Sequence, residues 1–372
     1  MPLILTEEQA MLQDAASGFL NDKAPVSHLR TLRDSRDPEG VSRDLWRQFG
    51  EMGFAGVLID EADGGSNLGA VEAGVIAEGL GRNLTPSPFM GTAIVSASIL
   101  KAAGSPDQKT WLAKIAAGEA ILSFALDEGS KHAPARITTR AVRSGNGFVL
   151  NGAKAFVLDG HIADALIVVA MADEGLSLFL VDPKTAGVQI ERTQMLDAHN
   201  AARVHLADVA VTADALIGPV GEGQGPLDTA LALGRACAAA SLAGAGDQAF
   251  KITLDYLKTR QQFGKLIGEF QALQHRAAHL FTELELAKAA TLAALQAIDA
   301  GQPHAYQAAS IAKAKAGKVA QLAVQEGVQM HGGVGMTDAF DIGLYMKRVR
   351  VLNEWLGDAH FHADLLARAN QY

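Results

Sequence analysis

Residues Tyr256 to Gln271 read YLKTRQQFGKLIGEFQ, and Gln329 to Gly335 read QMHGGVG. The first stretch reads as the end of one helix, a glycine turn at Gly264 and the start of the next helix. It sets a guanidinium (Arg260), a ring (Phe263) and an amide (Gln271) around that turn. Arginine suits a pyrophosphate because its planar fork bonds two oxygens at once. An aromatic ring suits an adenine face. The second stretch places a Gln and the adjacent Gly332 and Gly333 where backbone can approach a ligand closely.

Around these stretches the chain falls into three segments. Residues 1–118 read as helical. Thr6-Glu-Glu-Gln is an N-cap followed by early acids, with Met11, Ala15, Phe19 and Leu20 at helical spacing. Leu68–Gly81 and Met90–Ala103 are apolar enough for buried helices, Glu61-Ala-Asp-Gly-Gly reads as a loop, and Ser105-Pro106 opens another helix. Residues 119–218 change character. Short strand-like runs begin at Ile121, Thr138, Gly147, Ala165, Leu176 and Arg203, separated by turn residues such as Ser144-Gly-Asn-Gly and Asp182-Pro. They suggest a small β barrel or sandwich. Residues 219–372 are rich in alanine and leucine at helical periodicity. A four-helix bundle is expected there, with breaks near Gly264, Gly301-Gln-Pro303 and Gly332-Gly333.

With 372 residues, 49% hydrophobic and 20% charged, the chain can bury a large core. A net charge of -9 argues against a general nucleic-acid binder. The N-terminus turns acidic within a few residues, which does not suit a signal peptide, and no apolar run is long enough to span a membrane. A cytoplasmic location is expected. Cys237, the single cysteine, excludes an internal disulfide and reads as a small core residue. No metal site is expected, because His360 and His362 lie on different helix faces. Gly244-Ala-Gly246 follows helical sequence rather than a strand, so it is no dinucleotide fingerprint.

The two opening stretches, in this order and on a helical–β–helical chain, resemble the acyl-CoA dehydrogenase flavoprotein family. The resemblance covers nearly the whole chain. It implies an α+β multidomain fold with an N-terminal helical domain, a middle β domain and a C-terminal four-helix bundle. It implies FAD between the β domain and the C-terminal helices, with a neighbouring subunit contacting its ADP half. Arg260 would meet the pyrophosphate, Phe263 would pack near adenine, and Gln262, Gln271, Gln329, Gly332 and Gly333 would line the nucleotide end. Gly152-Ala-Lys-Ala-Phe-Val-Leu-Asp-Gly160 resembles the family's G-x-K-x-[WF]-[IV] segment. Phe156 would stack beside the flavin ring, with Val157 and Leu158 next to it; Leu158 stands where the family often has a threonine. Leu122–Lys131 falls where the family's T-E-P-x-A-G-S-D loop runs, with Leu126 for the Thr and Asp127 for the Glu.

The resemblance also implies the reaction: an acyl-CoA thioester oxidised to the 2,3-enoyl-CoA, with hydride passing to flavin N5 and electrons to an electron-transferring flavoprotein. Lipid or steroid catabolism is the expected setting. The family places its glutamate base at one of two positions, which here read Gly234, before Arg235, and Leu356, before Gly357. Three explanations stay open. A nearby carboxylate substitutes, Asp358 first and Glu354 second. Alternatively the base comes from a related subunit, this chain completing a partner's site. Or the chain does other flavin chemistry or none. Arg235 matches the family's arginine near the substrate and, in its apolar run, calls for a specific partner. Assembly as a homodimer or homotetramer, or as a heterotetramer with a related subunit, is expected.

Overall fold

A computed structural model of the chain describes residues 2–372. The N-terminal region contains α1 (Glu7–Lys23), α2 (Val26–Asp34), α3 (Arg43–Glu51) and α4 (Ala70–Asn83), then a π-helical turn (Met90–Ser96) running into α5 (Ala97–Ala103), and α6 (Pro106–Ala116). Thr6 and Gln9 form a reciprocal capping box on α1, and Ser105 and Gln108 form another on α6 with Pro106 inside its first turn. The helices α2 and α3, and the 3-10 turn Glu61–Asp63 inside the expected loop, were not singled out by the sequence.

The middle region holds β1 (Leu122–Ala125), β2 (Arg140–Ser144), β3 (Gly147–Leu158), β4 (Ala165–Ala172), β5 (Gly175–Val181), β6 (Val188–Gln194), β7 (Asn200–Thr212) and β8 (Leu216–Ile217). They form one sheet in the order β6-β7-β3-β2-β4-β5-β8, with β1 paired in parallel to β4. The sheet curls. In a flat sheet β3 and β5 would be roughly 14 Å apart, three strand spacings. Yet Phe148 on β3 and Phe179 on β5 stack edge to face at 5.2 Å, inside a core shared by both halves. The barrel-like expectation is met by this curvature. The strand β6, which has little buried surface, was not read from the sequence.

The C-terminal region starts with α7 (Gln224–Thr259). A two-residue hairpin follows, β9 (Gln261–Gln262) and β10 (Lys265–Leu266), then α8 (Gln271–Asp299), α9 (Ala305–His331), α10 (Ile342–Glu354) and α11 (Ala359–Ala369). Three breaks fall where expected. A fourth at residues 355–358 splits the last helix in two, so the bundle has five helices. Leu356 there adopts φ 57° and Gly357 φ 107°, conformations that no helix continues through. The small residues of α7 permit close helix contact. A Cβ added at Gly81 would lie 2.0 Å from Ser241 O, and one at Gly244 2.1 Å from Glu78 O.

The chain forms two compact units. One comprises the residues up to Thr31, Gly74–Thr85 and Arg235–Tyr372; the other comprises Leu32–Ala73 and Pro86–Gly234. No helix among the described residues is long and apolar enough to cross a membrane.

Candidate functional site

In the first unit the two opening stretches meet. Tyr256, near the end of α7, stacks on His331, at the end of α9, with ring centroids 4.4 Å apart. Phe340 packs edge-on against both. The His331 Nδ1 bonds the Gly327 carbonyl at 2.7 Å, and burial lowers the pKa of its ring against the opposing pull of that bond. Beside this stack lies an open cavity of about 390 Å³. Arg260, Gln262, Phe263, Gln329, Gly332 and Gly333 all line it, together with Phe270 and Arg276. Gln271 opens α8 immediately after the lining Phe270. The sequence did not single out Tyr256, Phe270, Arg276 or His331 as lining residues; each has an ordinary role as a core ring or helix-face charge when taken alone.

The hairpin that carries Phe263 is under backbone strain. Gln262 pairs with Lys265 across a two-residue turn, in which Phe263 has φ 55° and Gly264 φ 77°. Such a turn favours Asn-Gly; a bulky residue at positive φ is an outlier. In this turn Phe263 is 91% exposed. An exposed ring kept at a conformational cost points to a ligand or partner.

The residues present fit a dinucleotide such as FAD. Cβ atoms added at Gly332 and Gly333 would meet no atom within 4 Å, so both positions face open space where a ligand's atoms would lie against bare backbone. Arg260 is exposed and carries no ion pair among the described residues, leaving its fork available to phosphate oxygens. Together these give a cation, a ring face and an unobstructed backbone at one cavity.

The second unit carries the residues assigned to the flavin ring. Strand β3 bulges against β7 between Lys154 and Val157. At that bulge Phe156 takes φ 53° and stays 43% exposed. Bulges commonly re-aim a side chain in this way. Val157 turns its side chain into the sheet core, which leaves only its backbone for a ligand. Leu158 lies against Gly91 of the π-helical turn, 3.7 Å from a Cβ built there. Leu126 is buried and its carbonyl accepts from Lys154 Nζ at 3.1 Å. The Asp127 carboxylate is engaged by His132 Nδ1 and Ala133 N.

Around the α10–α11 elbow, again in the first unit, two cations are wholly buried. Arg235 on α7 donates through Nε to Leu356 O at 3.2 Å and lies over the rings of Tyr306 and Phe361. The expected partner of Arg235 is thus a backbone carbonyl and two aromatic faces. Lys313 on α9 donates to Asn353 O at 3.2 Å and Gly357 O at 3.0 Å. Between them they hold carbonyls left over where α10 ends. Asp358 caps α11, accepting from Phe361 N at 2.8 Å, and Glu354 pairs with Arg350 at 3.1 Å. Cys237 is fully buried, and burial pushes its thiol pKa up. No group of three metal-ligating side chains occurs among the described residues.

Comparison with known proteins agrees with this architecture. Residues 6–119 match the family model for the acyl-CoA dehydrogenase N-terminal domain, 126–209 the middle domain and 221–370 the C-terminal domain. The chain is 31% identical over 360 residues to acyl-CoA dehydrogenase FadE12 of Mycobacterium tuberculosis, covering 94% of this chain and 92% of that one. Among solved structures it is similar to a chain of the Tcur3481-Tcur3483 steroid ACAD, at 30% identity and TM-score 0.89, covering 98% and 99% of the two chains. It is also similar to a chain of the ChsE4-ChsE5 complex from Mycobacterium tuberculosis, at 25% identity and TM-score 0.91, covering 100% and 99%. Three consecutive domain matches spanning most of the chain place it in the acyl-CoA dehydrogenase family.

Proposed function

We propose that this chain is an FAD-binding subunit of an acyl-CoA dehydrogenase that converts an acyl-CoA thioester to the 2,3-enoyl-CoA and passes electrons to an electron-transferring flavoprotein. We further propose that it works beside a related subunit that completes the catalytic set. The observation that carries this reading is a contrast. The nucleotide cavity keeps its cation, ring and open glycines, whereas Gly234 and Leu356 stand at the two positions where a base is expected.

FAD, when bound, supplies the hydride acceptor at N5. This chain's part is to hold and orient. Arg260 would meet the pyrophosphate, Phe263 would lie near adenine, Gly332 and Gly333 would let the backbone close in, and Phe156 would flank the ring. Removal of the α proton needs a positioned base, worth roughly 10²- to 10⁴-fold. Asp358 is a poor candidate for that role because its carboxylate caps α11. Leu356 is buried at an elbow where its backbone takes a left-handed conformation. Relatives among two-chain complexes, Tcur3481-Tcur3483 and ChsE4-ChsE5, support a heteromer.

The test is purification of the chain alone and with co-expressed related subunits. The expected result is bound FAD that acyl-CoA does not bleach in the lone chain and does bleach in the mixed assembly. Bleaching by the lone chain would place a base within it. Protein that takes up no FAD in any assembly would refute the cofactor reading.

A further inference from the structure

The loop after β1 departs from the family's pattern, yet it is firmly held. Three consecutive residues are tied to β3 or to its neighbourhood. Leu126 O accepts from Lys154 Nζ, and Asp127 O accepts from Ala155 N at 2.7 Å. Glu128 receives five donors: Lys154 Nζ at 2.7 Å, the backbone N–H groups of Thr138 and Thr139, and both threonine hydroxyls at 2.5 and 2.6 Å. A carboxylate offers about four lone-pair sites, so Glu128 is saturated. Burial works against its ionisation, but Lys154 and the two threonines outweigh it and hold the carboxyl at about 2. Lys154 is only 1% exposed, so its ammonium depends on this partner.

The family-like segment Gly152–Leu158 is built around the same carboxylate. At Gly152, φ is 155° and an added Cβ would lie 2.5 Å from Thr139 Oγ1, so glycine lets Thr139 come close enough to reach Glu128. Two residues later comes Lys154, and two further comes Phe156 on the bulge. Counted along the family's T-E-P loop from Leu126, Glu128 falls at the proline, a residue that accepts nothing through its side chain.

We propose that Glu128, through Lys154, is a positioning residue that fixes the loop 126–128 relative to Phe156 and so sets the seat of the flavin ring. This rests on the FAD reading above. A buried ion pair by itself adds little stability; here it joins the two segments that would face the ring.

The test compares wild type, Glu128→Gln, Glu128→Asp and the double variant Glu128→Gln/Lys154→Met, which leaves no lone buried charge. Each apoprotein is titrated with FAD, and the flavin absorption band is recorded at saturation alongside the melting temperature. The expected result is a Kd for FAD raised about tenfold or more in Glu128→Gln and in the double variant, with a band moved toward that of free FAD and partial recovery in Glu128→Asp. Variants that melt lower but bind FAD with the wild-type Kd and band would overturn the inference and leave the pair as a stabilising contact only. Wild-type protein without FAD affinity both alone and with its co-expressed related subunit would overturn the cofactor reading itself, and this inference with it.

Discussion

Lys313→Met tests the elbow by removing a buried amine while keeping most of its volume. Lys313 is 1% exposed and bonds two carbonyls, Asn353 O and Gly357 O. A neutral amine has two N–H groups, enough for both acceptors. Burial first, and then the nearby Arg235, pull its pKa from 10.5 to about 7, against the opposing pull of Asp358 and Glu354. Because the folded-state pKa lies below the unfolded one, the unfolded chain binds more protons between the two values, and stability rises with pH across that window. The penalty for protonating Lys313 in the folded state is complete below pH 7 and gone above 10.5. Between pH 7 and pH 9 its relief is worth ~2 kcal/mol. At pH 9 the methionine variant leaves two buried acceptors without this donor, at a cost of about 1–3 kcal/mol each. At pH 7 the wild type bears the charge as well, so the gap between the proteins narrows by ~2 kcal/mol. Urea unfolding of both proteins at the two pH values, at one fixed protein concentration, measures the gap; other titrating groups cancel in the difference. A gap of equal size at pH 7 and pH 9 would refute the reasoning.

Other outcomes follow from the same geometry. Arg260→Ala with Phe263→Ala should weaken FAD binding by tenfold or more, while the apoprotein melts within a degree or two of wild type, because both side chains are exposed; FAD titration and calorimetry check this. Gly152→Ala should destabilise by about 1–3 kcal/mol, through positive φ and contact with Thr139; denaturant midpoints measure it, and a neutral result would show that Thr139 moves freely. Leu356→Glu should give the lone chain a slow acyl-CoA-dependent bleaching of FAD, since Arg235 stands beside that backbone; absence of bleaching in folded, FAD-loaded protein would count against residue 356 as the base position.

The elements easiest to read were those with a local signature. Thr6 and Ser105 announced their helices because a cap needs only a residue and its third neighbour. The strands around Leu166 and Leu178 showed as apolar runs. By contrast β6 escaped notice, since VQIERTQ carries no fully buried residue and is held chiefly by pairing with β7. The break at Leu356 escaped too. A left-handed leucine has no sequence signal, and the carbonyls it frees are held by Arg235 and Lys313 from other helices.

By itself the sequence determined the helical–β–helical order and the family, and it picked out six of the residues that the fold brings to one cavity, because periodicity, capping and the two opening stretches are local patterns. The burial of Arg235 was legible in its apolar run, but only the tertiary structure decided what the buried charges hold. Lys154, legible in the sequence only as part of the Gly152–Gly160 segment, and Lys313 gain their partners from the fold, which brings Glu128 to the one and the carbonyls of Asn353 and Gly357 to the other. These partners lie 26 to 44 residues away in the chain, and in a buried setting a charge's meaning is set by the acceptors it meets rather than by its neighbours in sequence.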